Sequence, residues 1–189
     1  MKWVGPRNAA GSSVAALRPV LIRDNFRASR VIEAGRAFCV TKSVLMAAAC
    51  RALGVPARPG YADVTNHLAS PRLLDIMGSN LFVWHSYTEV FLNGEWIKCT
   101  PVFNADLCQK FNVAPLEFDG RDDSLFQPHD VDGNTFMNYV HDHGPYAELP
   151  YEAIEAAFIA EMPNAYGPRG HLAEGGDFYE EADAVGASG

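Results

Sequence analysis

The chain has 189 residues, of which 48% are hydrophobic and 20% are charged, and its formal net charge at pH 7 is −8. This length fits one domain with a sizeable core. The acidic charge, without any Lys/Arg block, argues against a nucleic-acid partner. The N-terminus lacks the apolar region of a secretory leader, and no apolar run is long enough to cross a membrane. We therefore expect a cytoplasmic protein with neither a membrane nor a nucleic-acid partner.

The domain is expected to occupy residues 14–163. Residues 1–13 are rich in Gly, Ser and Asn, and residues 164–189 combine scattered glycines and acids with little apolar periodicity, so both ends are predicted to be flexible. The four cysteines contain no CxxC pair, which argues against a zinc ribbon or a thioredoxin motif. In a reducing compartment they are expected to be free thiols.

Two elements are predicted early in this domain. A helix over about 39–53 is indicated by "CVTKSVLMAAACRAL", which has apolar residues at helical spacing and stops before Gly54 and Pro56. Cys39 lies at the start of this helix, and Cys50 is expected in its packed face. A short strand is predicted from "ARPGYADV", which follows directly.

A β-hairpin is the strongest local signal. The pair Asn93-Gly94 favours a type I′ turn and separates "LFVWHSYTEVFL" from "EWIKCTPVF". A two-residue turn pairs position 92 with 95 and 90 with 97, so Glu89 faces Lys98 and Thr100 lies diagonal to His85 on the same face. Cys99 then points to the opposite face. A terminal helix is predicted from "PYEAIEAAFIAEM", which opens with Pro150.

These segments together resemble the transglutaminase-like superfamily, a group of papain-like thiol enzymes. The resemblance rests on "AFCVTKSVLMAAACRALGVPAR", "WHSYTEVFLNGEW" and "IKCTPVFN", covers about residues 35–104, and continues into a bacterial subgroup over about 105–160. It implies an α+β fold in which a nucleophile helix packs on an antiparallel sheet. It also implies that Cys39 is the nucleophile and His85 the base.

The third catalytic position departs from the family pattern, because Thr100 stands where an Asp is usual. A hydroxyl can accept a hydrogen bond from an imidazole but cannot offset the charge of an imidazolium. Asn104, Asp106 and Asp119 are alternatives for this role, and the sequence does not choose among them.

Thiol chemistry fits the resemblance. A helix N-terminus and a neighbouring imidazolium both lower the pKa of a thiol and favour the reactive thiolate. The predicted function is acyl transfer on an amide or ester bond, as in a cysteine peptidase, an amidase or a transglutaminase, with a peptide, amide or small-molecule acyl substrate. The alternative is a binding or scaffold protein that kept the fold after losing the Asp.

Other polar residues are weaker candidates. Trp84, Asn66 and His67 are candidates to line the substrate cleft, with Asp63 close to them in the sequence. A later acidic segment carries several histidines: His129, Asp130, Asp132, His141, Asp142 and His143. It lacks a recognised ligand spacing, and its "DVDGN" run is a weak match to a calcium loop. No metal or cofactor is therefore expected, and the oligomeric state is left open.

Overall fold

The computed structural model describes residues 21–35, 37–67, 69, 71–100, 108–109, 111–126 and 128–166. Within these residues, four antiparallel strands form one sheet in the order β3-β2-β1-β4. Their bounds are Ala57–Asn66 for β1, Leu81–Leu92 for β2, Glu95–Cys99 for β3 and Met137–Pro145 for β4. Strands and helices of one chain thus form an α+β fold, as predicted.

Five α-helices accompany this sheet in the described part of the chain, after a 3₁₀ turn at Arg23–Phe26. Their bounds are Ala28–Ala34 for α1, Cys39–Ala52 for α2, Pro71–Met77 for α3, Tyr151–Glu161 for α4 and Pro163–Tyr166 for α5. The helix predicted over about 39–53 and the predicted terminal helix are both confirmed, the latter beginning directly after Pro150. The last three described residues, 164–166, lie in α5, whereas the rest of the two ends predicted to be flexible falls outside the described residues.

Helix α2 has clear signals at both ends. At its start, the N–H of Phe38 donates to the Thr41 hydroxyl at 3.0 Å, and this bond satisfies a donor that the helix itself cannot pair. At its end, Gly54 adopts φ +77°, a left-handed conformation that costs glycine little. The first signal fixes where the helix begins, with Cys39 as its first residue, and the second fixes where it ends.

The hairpin between β2 and β3 has the predicted register. Asn93 and Gly94 both have positive φ, as a type I′ turn requires, and Leu92 pairs with Glu95. Glu89 stands opposite Lys98, as expected. The two side chains bind other partners, however: Glu89 accepts from Arg58 at 2.7 Å, and Lys98 donates to Asp142 at 3.1 Å.

Helix α2 covers one face of the sheet. On this face, the Thr88 hydroxyl donates to the carbonyl of Ser43 at 3.3 Å, and Val90 packs with Ala47. The Cys99 thiol belongs to the same face, because it lies 3.8 Å from the Met46 sulfur. We call this the helix face, and the other side of the sheet the outer face.

A β-bulge interrupts the alternation of β2. Ala62 pairs with His85, but Val64 pairs with Phe82, so Val83 and Trp84 together oppose one residue of β1. Trp84 has φ +54°, which is unusual for a bulky residue. Its N–H donates at 2.9 Å to a carboxylate oxygen of Asp63, the residue that β1 places against the bulge. Both bulge side chains are buried in one cluster with Tyr61 on the helix face.

Gly60 is the point of closest approach between β1 and the side chains of β2. A Cβ at this position would lie 2.2 Å from the Tyr87 ring. We expect Gly60→Ala to lower the free energy of unfolding by about 1–3 kcal/mol, as other overpacked sites do. Urea denaturation measures this change. In a Tyr87→Ala background the same substitution should cost clearly less, and equal costs in both backgrounds would contradict the close approach.

Candidate active site

Cys39 opens α2 on the helix face, where its partly buried thiol lies beside Ser86 of β2. Burial raises the pKa of this thiol above its usual range. The N–H groups of Ser86 and Val40, the Ser86 hydroxyl and the charge of Lys42 all act in the opposite direction. The sequence predicted a lowered thiol pKa from the helix N-terminus. The opposite net direction arises because removal from water outweighs these favourable contacts.

Lys42 is a cation whose charge acts on the Cys39 thiol. It lies three residues after Cys39, one helical turn along the same face of α2. Burial lowers the pKa of its ammonium group, and the sulfur of Cys39 raises it again in part. The two groups therefore interact electrostatically, and a thiolate at Cys39 is the species that this interaction favours.

His85 lies on the outer face. Its ring packs on Phe126 with 5.0 Å between centroids, and the side chain is 8% exposed. Burial lowers the pKa of the imidazole to about 4, so the ring is neutral near pH 7. Its Nδ1 is buried and has no hydrogen-bond partner among the described residues.

Thr100 shares the outer face with His85, as the hairpin register predicts. Its N–H donates to the carbonyl of Ser124 at 3.0 Å, and its hydroxyl lies near the phenol of Tyr139. That hydroxyl is also buried and makes no hydrogen bond within the described part of the chain. The structure thus places Thr100 and His85 on one side of the sheet without a bond from the Thr100 hydroxyl to the ring.

The structure does not bring Cys39 and His85 together. Cys39 contacts Ser86, and adjacent residues of a strand point to opposite faces, so His85 is directed away from the thiol. The sequence could not reveal this, because the motif spacing fixes the order of these residues but not the face from which α2 approaches the strand.

Of the alternative third members, only Asp119 lies among the described residues, and it is not brought to His85. Asn104 and Asp106 lie outside the described residues. The exposed carboxylate of Asp119 accepts the N–H groups of Arg121 and Asp122, at 2.8 and 3.1 Å, and so closes a local turn. The next residue, Gly120, lies against Leu92, which is seven positions from His85 and therefore about 20 Å along β2.

Only one of the proposed cleft residues is near the thiol. Trp84 belongs to the buried cluster against which Cys39 packs. Asn66 is buried at the far end of β1, and His67 is exposed, with its Nε2 3.3 Å from the side-chain nitrogen of Asn138. Both lie at least five positions along β1 from Tyr61, about 16 Å away.

An imidazole–carboxylate pair on the helix face was not identified as a pair from the sequence. Nε2 of His143 lies 2.8 Å from Oδ1 of Asp63, and the His143 ring stacks on Trp84 with 4.2 Å between centroids. The two side chains are 18% and 19% exposed. Because they are 80 residues apart in the chain, only the pairing of β1 with β4 could have shown that they meet.

The predicted absence of a metal was based on ligand spacing. No group of three or more His, Cys, Asp or Glu side chains that could hold a metal ion occurs in the described residues. The carboxylate of Asp130 accepts the N–H groups of Asp132 and Asn134 at 3.0 and 2.8 Å, so the calcium-like run is a turn closed by its own side chain. None of the described helices is long and apolar enough to cross a membrane.

Comparison with known proteins supports the resemblance. Residues 14–101 match the family model of the transglutaminase-like superfamily, a range that contains α2, the hairpin and the positions of Cys39, His85 and Thr100. No curated protein and no solved structure matches the chain.

The burial of His85 predicts how stability depends on pH. The folded state keeps the imidazole neutral down to about pH 4, whereas the unfolded chain takes up a proton near 6.5, so stability is lost as the pH falls through this window. This difference between the pKa values of the folded and unfolded states corresponds to about 3 kcal/mol in the free energy of unfolding. His85→Gln should flatten this part of the pH profile of the unfolding free energy, measured by urea denaturation. The exposed His141, changed to Gln, is the matched control. An unchanged slope in His85→Gln would contradict the buried neutral ring.

Proposed function

Because the chain carries a transglutaminase-like superfamily domain over residues 14–101, we propose that it is a thiol-dependent acyl-transfer enzyme with Cys39 as its nucleophile. The observation that carries this proposal is the position of Cys39. It is the first residue of a 14-residue helix packed on the sheet, and the N–H groups of Val40 and Ser86 favour the charged form of its sulfur. A helix N-terminus stabilises negative charge at such a position.

The reaction follows from thiol chemistry. The Cys39 sulfur attacks the carbonyl carbon of an amide or ester, and a carbon–sulfur bond forms. The bond to the amine or alcohol then breaks, and that leaving group departs with a proton. Water or an amine attacks the resulting thioester and releases the acyl group, which restores the thiol. Peptides, other amides and small acyl compounds are the proposed substrate class.

A base is required, because burial keeps the Cys39 thiol protonated. The resemblance gives this role to His85. Two observations support His143 instead: it lies on the face that Cys39 occupies, and Asp63 holds its Nε2. A carboxylate that binds one ring nitrogen fixes the tautomer and leaves the other nitrogen, here Nδ1, to accept a proton. We therefore propose the Asp63–His143 pair as the base, and His85 stays the prediction from the motif.

A second candidate function is a binding or scaffold protein without catalysis. Thr100 favours it, because a hydroxyl without charge stands where the family usually has a carboxylate, and no carboxylate of the described residues bonds to the His85 Nδ1. The retained thiol at the start of α2 favours the enzyme. The two functions differ in one measurable property, the formation of an acyl-enzyme.

Reaction with an activated ester tests the proposed function. The unaltered protein should release p-nitrophenol from p-nitrophenyl acetate and gain one acetyl group, which intact-mass and peptide mass spectrometry place on Cys39. Cys39→Ala should abolish both signals, because the nucleophile is gone. Cys50→Ser in the same helix is the matched control and should retain them. Acetylation spread over all four thiols, or its persistence in Cys39→Ala, would reject Cys39 as the nucleophile.

A comparison of histidine variants tests the proposed base. We expect His143→Gln to slow acylation of Cys39 by about 10²–10⁴-fold, the usual contribution of a general base. His141→Gln, whose ring touches that of His143 from outside, is the control and should retain the rate. Asp63 is a poor test residue, because it also holds the N–H of Trp84. A large loss in His85→Gln with none in His143→Gln would return the role to the motif histidine.

A further inference from the structure

Two hydroxyls on the helix face are buried: one has no hydrogen-bond partner in the described part of the chain, and the other faces only the Cys39 sulfur, whose charged form it favours. They belong to Tyr61, which is 0% exposed, and Ser86, which is 2% exposed. A buried hydroxyl that makes no hydrogen bond costs roughly 1–3 kcal/mol. Such groups are rare in folded proteins, and each one needs an explanation.

Both hydroxyls belong to residues next to the nucleophile. Tyr61 and Ser86 are register partners on neighbouring strands, and the Ser86 hydroxyl faces the Cys39 thiol. Cys39 packs against the buried cluster that contains Tyr61, whose ring lies 5.5 Å from Trp84 and 5.7 Å from Tyr146. The Ser86 hydroxyl and the helix N-terminus therefore lie at the sulfur atom, and Tyr61 lies in the cluster against which this residue packs.

We propose that the Tyr61 and Ser86 hydroxyls, with the N–H of Val40, form the binding site for the carbonyl oxygen of an acyl group attached to Cys39. This inference rests on the proposed function, since it names the groups that stabilise the product of thiol attack. It also explains why the Tyr61 hydroxyl is unpaired: its acceptor is an oxygen of the substrate.

The hydrogen-bond donors keep their protons while the thiol attacks the carbonyl group. When the sulfur forms its bond to the carbonyl carbon, the π electron pair of the carbonyl moves onto the oxygen and makes it an anion. The pair returns when the leaving group departs, so the donors neither gain nor lose a proton. Burial and the negative charge of the Cys39 sulfur both raise the pKa of Tyr61, which keeps its phenol protonated throughout.

The surroundings strengthen these donors. The aromatic rings around Tyr61 keep water away, and a hydrogen bond to a charged oxygen gains strength in a medium of low polarity. Removal of one such donor in other acyl-transfer enzymes slows the reaction by about 10²–10³-fold. Changes of this size are easily measured in a single-turnover experiment.

The test compares two reactions of the same thiol in Tyr61→Phe and Ser86→Ala. Acylation by p-nitrophenyl acetate develops an oxyanion, whereas alkylation by iodoacetamide does not. We expect each variant to lose about 10²-fold or more in the acylation rate. The alkylation rate of Tyr61→Phe should stay that of the unaltered protein, whereas Ser86→Ala should slow alkylation less than acylation, because the Ser86 hydroxyl also favours the thiolate. Tyr146→Phe removes a hydroxyl from the same aromatic group and is the matched control, which should retain both rates.

Stability provides a second readout. Tyr61→Phe removes an unpaired buried hydroxyl without changing the ring, so its melting temperature should equal or exceed that of the unaltered protein. A lower melting temperature would overturn the claim that this hydroxyl lacks a partner, and so would parallel losses in alkylation and acylation. Unchanged acylation in both variants would also overturn the inference while leaving the proposed function intact. Failure of the unaltered protein to acylate at all would instead reject the proposed function, and this inference with it.

Discussion

The hydrogen bond from the Trp84 N–H to the Asp63 carboxylate is the interaction on which the arrangement of the site depends. It holds a bulge near the start of β2, with Trp84 in a left-handed conformation that a large side chain rarely adopts. Because a bulge adds one residue to the strand, the side chains before it point to the opposite faces from those that unbroken alternation would give them. Trp84 and Ser86 lie on the helix face with the thiol, and His85 lies between them on the outer face.

Burial has the same effect on the two predicted catalytic groups, although they lie on opposite faces. Removal from water favours the uncharged form of each, so the thiol of Cys39 and the imidazole of His85 are both neutral in this structure. An ion pair between them is thus not part of the folded state described here. Lys42 and the Asp63–His143 pair lie close to the helix face, on different elements from the motif histidine.

Local signals made much of the fold predictable. Helix α2 could be predicted because apolar spacing, strong helix formers and Gly54 agree, and the hairpin because Asn93-Gly94 allows only a narrow choice of turn. Strand β4 gave no such signal, since most of its side chains are exposed and polar and two bulges break its alternation. The Asp63–His143 pair depends on that strand. A pairing between positions 80 residues apart produces no periodic pattern in the sequence. The Asp63–His143 half of the helix-face site could therefore not be predicted from the sequence.

The two bulges of β4 affect whether a strand of a second copy of the chain can pair with the edge of the sheet. In the described sheet β4 is an edge strand, and a straight edge of free N–H and C=O groups is a template for pairing with another chain. Here Val140 and His143 are the extra residues of the two bulges, and charged Asp142 lies between them. The edge is therefore bent and interrupted every few residues. A second strand could bond to it only in short, mismatched pieces, which protects the sheet from edge-to-edge aggregation.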